Sequence, residues 1–475
     1  MKVYPVYLNG QWVRTQKTIG VINPATAEAF AEVSTVDRAA VAQAINDAHA
    51  AFPGWRATTG KTRGEFLQKA ADEMERRRDE IARAVTMENG KPLAQSLVEV
   101  DVSIDHFRWF AEEARRAYGR IVPHQVAGKR HLIIKTPMGV VAAISPWNFP
   151  LFLAARKVAP ALAAGNTVIL KPASATPICA ILMAECLEAA QLPKGVFQLV
   201  AGSARDIAQE FLGNSLCRKI TFTGSIEVGK SLIQGAANQI KPLSLELGGH
   251  APVLVFEDAD LDQAIEGAMA AKFRNIGQSC IAANRFYVQR GIYEKFLEKF
   301  TVQTRAQKIG DGLDDGVLIG PLINEDGLNK ALEHIDDAVK RGARLLCGGK
   351  RINRKGFFLE PTVLADVPPD AKCMHEETFA PVAPFSAFDS EAEAIEHANR
   401  SPYGLSAYTF TRDLSRAFRL MESLEAGTIG INDGVPSTSQ CPFGGVKQSG
   451  WGRELGIEGM DAFLETKHAS LELGI

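Results

Sequence analysis

The sequence predicts an α/β fold in which parallel strands alternate with helices. Over much of the 475-residue chain, short runs rich in β-branched and aromatic residues alternate with longer stretches whose apolar residues recur every three or four positions. This alternation is typical of a parallel sheet, because a crossover between parallel strands usually contains a helix. The length allows two or three domains, each with a core of its own.

The elements are expected in a definite order. A helical region extends from residue 37 to about residue 120, and Gly90 marks the end of one of its helices. Two short strand-like arms follow, one on each side of Ala127 and Gly128. Repeated strand-then-helix units come next, with the strands in GVVAAI, TVILK, VFQLV, KITFT, LSLEL and APVLVF. A second segment of the same style begins after residues 247–249, where we predict a domain boundary.

Composition argues against several classes of protein. The chain has 53 basic and 55 acidic residues and no basic block interleaved with aromatic residues, so nucleic acid is not an expected partner. The first residues lack the apolar run of a signal peptide, and Asn148, Arg156 and Lys157 interrupt the most apolar region. We therefore expect no membrane segment and a cytoplasmic location. Seven cysteines without a CxxC pair indicate reduced thiols, and no metal site is expected.

The segment GSIEVGKS, residues 224–231, matches the pattern of a phosphate-binding loop and follows a predicted strand. Such a loop would make the protein a nucleotide triphosphatase. Its interior argues against that function, because Ile226 and Val228 resist the required backbone angles and Glu227 would bring a carboxylate toward a polyphosphate. The alternative is that Ser225 caps a helix that begins at once, and such a helix N-terminus suits a pyrophosphate.

Cys280 lies in the polar, glycine-containing stretch FRNIGQSCIAANR, residues 273–285. A reactive thiol needs access and a polarising environment, and these flanking residues fit a loop that exposes the sulfur. A structural cysteine more commonly lies among apolar residues, as Cys179 and Cys186 do. Cys280 is therefore a candidate nucleophile, and the alternative is a small buried hydrophobic residue.

Six further segments accompany the Cys280 stretch: PWNFP at 146–150, LKPAS at 170–174, FTGS at 222–225, LELGG at 245–249, EETFAP at 376–381 and PFGGVKQSGWGRELG at 442–456. In this order and spacing, the seven motifs resemble those of the aldehyde dehydrogenase superfamily. The resemblance covers essentially the whole chain. It implies an NAD(P)-dependent enzyme that oxidises an aldehyde.

The resemblance implies three catalytic residues. The Cys280 thiolate would add to the aldehyde carbon, and the Asn148 side-chain amide, with the Cys280 backbone N–H, would hold the oxyanion that forms. Expulsion of hydride to the nicotinamide would leave a thioester, which Glu246 would resolve by activating water. A carboxylate between Leu245 and Leu247 is costly to bury, which would raise its pKa toward that of a base working near neutral pH. From the local pattern alone, an outward-facing strand residue is the simpler interpretation of Glu246.

The resemblance also implies a binding site for NAD or NADP. The residues expected there are Lys171 at the adenosine ribose, Gly224 and Ser225 beside the pyrophosphate, Glu377 and Phe379 at the nicotinamide ribose and ring, and also Trp147 and Ser174. NAD-preferring relatives often have glutamate at the position of Ser174, where a carboxylate accepts from the ribose hydroxyls and repels a 2′-phosphate. Since serine removes this repulsion, we expect NADP to be accepted, and the preference between the two cofactors stays open.

Within the superfamily, the chain resembles bacterial succinate-semialdehyde dehydrogenases. These carry an arginine in the helix after WNFP, another shortly after the catalytic cysteine and a serine before PFGG, and Arg156, Arg285 and Ser437 stand at those places. Two guanidiniums and a hydroxyl would bind the carboxylate of a short semialdehyde. The alternative is that both arginines form structural ion pairs. Glutarate semialdehyde is an alternative substrate, because one methylene gives only about 1–3 kcal/mol of discrimination.

The resemblance further implies three structural units. The expected boundaries are 1–119 and 140–247 for a Rossmann-like cofactor domain to which 436–460 returns, 248–435 for an α/β catalytic domain, and 120–139 with 461–475 for a small β oligomerisation element. Alone, the arms of that element would expose unpaired strand edges, so we expect a homodimer or homotetramer. Besides a dehydrogenase, the alternatives are the nucleotidase and a non-catalytic protein of the same fold, and the presence of Cys280 and Glu246 argues against the latter.

Overall fold

A computed structural model describes residues 1–474 and confirms the α/β class. The strands are β1 (Lys2–Tyr4), β2 (Val6–Leu8), β3 (Gln11–Val13), β4 (Thr18–Asn23), β5 (Glu28–Ser34), β6 (Arg120–Pro123), β7 (Lys129–Pro137), β8 (Val140–Ile144), β9 (Thr167–Lys171), β10 (Phe197–Leu199), β11 (Cys217–Thr223), β12 (Leu243–Glu246), β13 (Ala251–Val255), β14 (Ala283–Gln289), β15 (Arg344–Cys347), β16 (Thr362–Ala365), β17 (Val382–Phe388), β18 (Ser406–Phe410), β19 (Thr428–Ile431), β20 (Gly450–Trp451) and β21 (Leu464–Glu472). The helices are α1 (Arg38–Arg56), α2 (Gly60–Arg76), α3 (Arg78–Asn89), α4 (Leu93–Glu113), α5 (Phe152–Ala164), α6 (Ile178–Ala189), α7 (Ala204–Gly213), α8 (Ile226–Ala236), α9 (Leu261–Phe273), α10 (Tyr293–Arg305), α11 (Glu325–Lys340), α12 (Glu391–Asn399), α13 (Leu414–Ser423) and α14 (Gly456–Asp461).

Local sequence signals set the ends of several helices. The Asp37 side chain accepts a hydrogen bond from the backbone N–H of Ala40 and so caps α1. Gly90 has a left-handed φ of 91° and ends α3, as the sequence predicts. None of the helices within residues 1–474 has both the length and the apolar character needed to cross a bilayer.

The larger sheet contains eight strands in the order β20-β12-β11-β8-β9-β10-β2-β3. The five strands from β12 to β10 are parallel, and β20 and β2 pair antiparallel to them at the two sides. From β8 the chain proceeds outward through β9 to β10, and then crosses to β11 on the other side of β8. The carboxyl ends of β8 and β11 are therefore the point at which the connections diverge, which is where open parallel sheets bind ligands.

A second sheet contains seven strands in the order β15-β16-β17-β14-β13-β18-β19. All of its pairings are parallel except that of β15 with β16. Its buried apolar residues form a hydrophobic core distinct from that of the eight-stranded sheet. The segment that carries Cys280 connects α9 to β14 of this second sheet, so the thiol lies where the two α/β units meet.

Two small sheets complete the fold. Strands β6, β7 and β21 form an antiparallel sheet in which β7 pairs with β21 from Pro137–Leu464 to Lys129–Glu472. The strands predicted on both sides of Ala127 and Gly128 are thereby confirmed. Strands β1, β5 and β4 form a further sheet near the N-terminus, which the sequence pattern did not predict.

Candidate active site

A cavity of about 610 Å³ opens beside Cys280. Its walls come from α4, α5, α9 and the loop that follows β19, and they are mostly apolar. Four phenylalanines contribute to them: Phe149, Phe152, Phe273 and Phe443. Three side chains that can bind an anion also line the cavity. Arg156 and Ser437 were predicted from the sequence, and Arg274 was not. A concave, mostly apolar cleft with a few polar groups is the usual form of a small-molecule site.

The backbone before Cys280 turns sharply. After α9 ends, Asn275 and Ile276 adopt left-handed φ values of 52° and 59°, and Gly277 has a φ of 72°. A Cβ on Gly277 would lie 2.3 Å from the carbonyl oxygen of Ala380, so only glycine fits there. An isoleucine with positive φ is strained, and such strain is typical of functional loops.

Asn148 and Asn275 join the Cys280 loop to the start of α5. The Asn148 side-chain amide donates to the backbone carbonyl oxygen of Gln278 at 3.1 Å. The Asn275 side-chain amide donates to the backbone carbonyl oxygen of Asn148 at 2.6 Å. Both asparagines are buried. The structure thus brings two of the predicted catalytic residues, Asn148 and Cys280, onto adjoining segments held by direct hydrogen bonds.

The Cys280 thiol is half-buried and has a perturbed pKa. Burial raises the pKa of Cys280 to about 12, and the nearby Glu377 carboxylate acts in the same direction, whereas Arg156 opposes them. The thiol is therefore protonated at neutral pH in this state. Nucleophilic attack requires that its proton first pass to a base.

Glu246 ends β12 and is buried, with 3% of its surface exposed. The outward-facing interpretation of this residue is therefore wrong. Burial raises the pKa of Glu246 well above its usual range, and the charge of Glu454 adds to the effect. Glu454 is in turn paired with Lys157, whose Nζ lies 2.5 Å from its carboxylate. Within residues 1–474, the buried Oε2 of Glu246 has no hydrogen-bond partner, which is unusual for a buried carboxylate oxygen.

The phosphate-loop interpretation of residues 224–231 is wrong. Ser225 caps α8 by accepting from the backbone N–H of Val228 at 3.4 Å, and the helix begins at Ile226. Lys230 lies within that helix on its exposed side, so no loop remains to surround a polyphosphate. A Cβ on Gly224 would lie 2.3 Å from the Phe222 ring, so any larger residue would have to displace that ring. The helix-cap alternative is confirmed.

Several predicted cofactor residues lie at the carboxyl edge of the eight-stranded sheet. Lys171 ends β9, and burial lowers its pKa to about 8. The buried hydroxyls of Ser145 and Thr223, at the ends of β8 and β11, have no hydrogen-bond partner among the described residues. Free hydroxyls at the topological switch point, together with the open N-terminus of α8, fit a dinucleotide. Ser174 is exposed beyond β9.

The remaining cofactor candidates lie close to the Cys280 loop. The Glu377 carboxylate accepts from the backbone N–H of Gly249 at 3.1 Å, and burial raises its pKa to about 7. Phe379 has a left-handed φ of 56° and meets the Trp147 ring edge-on, with 5.4 Å between ring centroids. These aromatic residues form an apolar face that suits a flat heteroaromatic ring.

The prediction that Arg285 binds substrate is wrong. Arg285 lies on β14, and its guanidinium donates to the backbone carbonyls of His250, His397 and Ala398 at 2.9–3.1 Å, outside the cavity. It is not part of an ion pair either, because its partners are backbone oxygens. Its role is to join β14 to the residue that precedes β13 and to the last turn of α12.

Arg274 takes the place that Arg285 was expected to fill. It follows α9 directly and lines the cavity, and its guanidinium carbon lies 5.3 Å from the Phe149 ring centroid. Arg156 lies on α5, as predicted, and its Nη2 donates to Ser437 Oγ at 2.9 Å. The sequence offered one signal for Arg274, since it is six residues before Cys280 in the same polar stretch.

Comparisons with known proteins identify the family to which the chain belongs. A family model described as "Aldehyde dehydrogenase family" matches residues 12–469. The chain is 48% identical over 468 residues to the NADP(+) succinate-semialdehyde dehydrogenase of Escherichia coli, covering 98% of this chain and 97% of that protein. It is 47% identical over 469 residues to glutarate-semialdehyde dehydrogenase of Pseudomonas putida, with 98% and 97% covered. The crystal structure of an NADP-dependent enzyme from E. coli superposes with a TM-score of 0.98 at 47% identity, with 99% and 98% covered.

Proposed function

Because the chain belongs to the aldehyde dehydrogenase family, we propose that it uses NAD or NADP to oxidise a short aldehyde that carries a carboxylate at its far end. Succinate semialdehyde is the leading substrate and glutarate semialdehyde the second candidate, in line with the relatives named above. The observation that carries the proposal is that Arg156 and Arg274 share the cavity of Cys280.

The charges of these two arginines are the reason for proposing an anionic substrate. Burial lowers the pKa of both guanidiniums, and their contacts within residues 1–474 are to a histidine, a serine and aromatic rings rather than to a carboxylate. Arg156 is buried and Arg274 is half-buried, and a cation removed from water without a directly bonded counter-ion is costly. A substrate carboxylate would supply that counter-ion and would accept paired hydrogen bonds from guanidinium.

In the proposed reaction, the Cys280 sulfur forms a bond to the aldehyde carbon as its proton passes to a base. The Asn148 amide, one N–H of which already donates to the Gln278 carbonyl in the Cys280 loop, would donate its other N–H to the oxyanion that results. When NAD or NADP is bound, the hydride that leaves the adduct carbon as the thioester forms would pass to its nicotinamide. Glu246 then takes a proton from water, whose oxygen attacks the thioester and releases the acid and the Cys280 thiol. The raised pKa of Glu246 suits this role near neutral pH.

We propose that the cofactor lies across the carboxyl edge of the eight-stranded sheet. Lys171 would contact the adenosine ribose, and the N-terminus of α8, with Gly224 and Ser225, would face the pyrophosphate. Glu377 would bind the nicotinamide ribose, and Phe379 with Trp147 would contact the ring. The unpartnered Ser145 and Thr223 hydroxyls support this placement.

Ser174→Glu is expected to lower kcat/KM with NADP relative to NAD by about tenfold or more, because a carboxylate there would repel the 2′-phosphate. The measurement is kcat/KM for each cofactor at saturating semialdehyde. Ser174→Gln is the matched control, since it adds a side chain of the same size without charge. If Ser174→Glu changed the ratio of kcat/KM between NADP and NAD no more than Ser174→Gln does, Ser174 would lie away from the 2′-phosphate.

Arg274→Leu is expected to raise the KM for succinate semialdehyde by about 100-fold, because a buried carboxylate would lose a charged partner. The kinetics with propanal, which has no carboxylate, should change little. Arg285→Leu provides the contrast: it should lower the midpoint of thermal unfolding and leave the preference between the two aldehydes unaltered. Equal losses on both aldehydes in Arg274→Leu would mean that Arg274 is structural.

The function itself is tested by initial rates of cofactor reduction with succinate semialdehyde, glutarate semialdehyde and propanal, each with NAD and with NADP. A strong preference for the semialdehydes is expected. If propanal were oxidised as well as the semialdehydes or better, the protein would still be an aldehyde dehydrogenase, but its substrate would not need a carboxylate.

We also propose the domain division, the assembly and the location that the sequence suggested. The pairing of β20 with β12 supports the return of residues 436–460 to the cofactor domain. In β21 every residue after Leu464 is exposed, so the sheet of β6, β7 and β21 offers edges and a face to a second subunit of a homodimer or homotetramer. Seven free cysteines support a cytoplasmic location.

A further inference from the structure

We propose that His106 is a positioning residue, which fixes the orientation of Arg156 through a chain of hydrogen bonds that continues through Ser439 to Asp105. This inference rests on the proposed function, in which Arg156 binds the substrate carboxylate. None of His106, Ser439 and Asp105 lines the cavity beside Cys280. Their effect on the reaction would therefore pass through Arg156.

The chain of contacts extends from the buried arginine to the protein surface. Arg156 Nε donates to His106 Nε2 at 3.3 Å, and His106 Nδ1 lies 2.8 Å from Ser439 Oγ. The Ser439 hydroxyl donates to the carboxylate of Asp105. Arg156, His106 and Ser439 are all buried, with exposed fractions of 4%, 1% and 3%, whereas Asp105 is exposed. The chain joins α4, α5 and the loop that follows β19.

Only one arrangement of protons satisfies every contact. A guanidinium donates and never accepts, so His106 Nε2 must be unprotonated to receive the Arg156 N–H. His106 then carries its proton on Nδ1 and donates it to Ser439 Oγ. The Ser439 hydroxyl hydrogen is thereby directed to Asp105, which can only accept. The opposite tautomer would aim two N–H groups at each other, so Ser439 and Asp105 select the tautomer that Arg156 requires.

The ring of His106 is neutral in this arrangement. Burial lowers the pKa of His106 well below its usual range, and the charge of Arg156 acts in the same direction. Asp105, the carboxylate at the outer end of the hydrogen-bond chain, contacts Ser439 rather than the ring, and none of the ring's own contacts within residues 1–474 is a carboxylate. A neutral ring keeps the Nε2 lone pair available at ordinary pH.

The packing around Arg156 explains why its contact with His106 would affect substrate binding. Its guanidinium carbon lies 4.6 Å from the ring centroids of both Phe152 and Phe443. The Nε edge is occupied by His106, and one Nη group is held by Ser437. The remaining donors are those left for a carboxylate. A guanidinium fixed in this way loses less conformational entropy when the substrate binds.

The test is a comparison of KM for succinate semialdehyde and for propanal in four variants. His106→Phe keeps an aromatic ring of similar size and removes the acceptor, so KM for the semialdehyde should rise about tenfold, with kcat and the propanal kinetics nearly unchanged. His106→Gln can accept from Arg156 and donate to Ser439, so it should restore most of the lost affinity. Ser439→Ala should act in the same direction as His106→Phe, and the double variant should lose little more.

The matched control is Asp101→Asn, one turn earlier on α4, where the carboxylate binds Arg78 at the surface. It should leave both KM values unchanged. A wild-type enzyme that prefers the semialdehyde, with an unchanged KM in His106→Phe, would overturn the positioning role and leave the proposed function intact. Equal losses on both aldehydes would also overturn it, because they indicate a purely structural role. A wild-type enzyme without any preference would overturn the proposed function and this inference together.

Discussion

Cys280→Ala is expected to abolish aldehyde oxidation, with kcat at least about 10⁴-fold lower, because no other group would form the covalent adduct. Binding of NAD or NADP should be retained, since the cofactor contacts proposed above come from other segments. The measurements are the steady-state rate with succinate semialdehyde and the quenching of intrinsic fluorescence by added cofactor.

Cys347→Ala is the matched control for this substitution. Cys347 is also a half-buried free cysteine, and it lies on β15 of the second sheet, away from the cavity. Its loss should leave kcat unchanged. Full activity in Cys280→Ala would remove Cys280 from the mechanism.

Glu246→Gln is expected to lower steady turnover by about 100-fold or more, because glutamine cannot take a proton from water. The first turnover should be affected much less, since cofactor reduction precedes thioester hydrolysis. A rapid burst of reduced cofactor followed by slow turnover should therefore appear in stopped-flow absorbance. In the wild-type enzyme, hydrolysis should accelerate as pH rises through the raised pKa of Glu246, because the base acts in its ionised form.

Glu298→Gln on the exposed side of α10 serves as the control for Glu246→Gln. It should show neither a burst nor a change in turnover. If Glu246→Gln lost the burst and the steady rate to the same extent, Glu246 would act before or during hydride transfer rather than in hydrolysis.

Much of the fold follows from local sequence. The strand-then-helix units from β8 to β12 were predictable because each strand is a short, buried, β-branched run bounded by turn residues, and Ser225 and Gly90 mark helix ends by their own chemistry. The N-terminal sheet was not predictable. Strand β1 has only three residues and no fully buried one, so its pairing depends on contacts with β5 rather than on a local pattern.

Only part of the candidate site could be predicted from local sequence. Arg274 and Arg285 are both near Cys280 in sequence, and the local pattern does not tell which one reaches the cavity. The left-handed turn at residues 275–277 and the pairing of β14 decide it, and both depend on tertiary structure. The contact between His106 and Ser439 joins residues that are 333 positions apart, so no local sequence pattern could predict it.

In the proposed reaction, a carboxylate-bearing aldehyde acylates Cys280. The most direct test is to mix Glu246→Gln enzyme with succinate semialdehyde and oxidised cofactor, quench with acid during the slow phase, and identify the modified peptide by mass spectrometry. The expected result is one succinyl group on the peptide that contains Cys280, absent when cofactor is omitted. Reduced cofactor without an acyl group on Cys280, or an acyl group on another cysteine such as Cys441, would show that Cys280 is not the nucleophile.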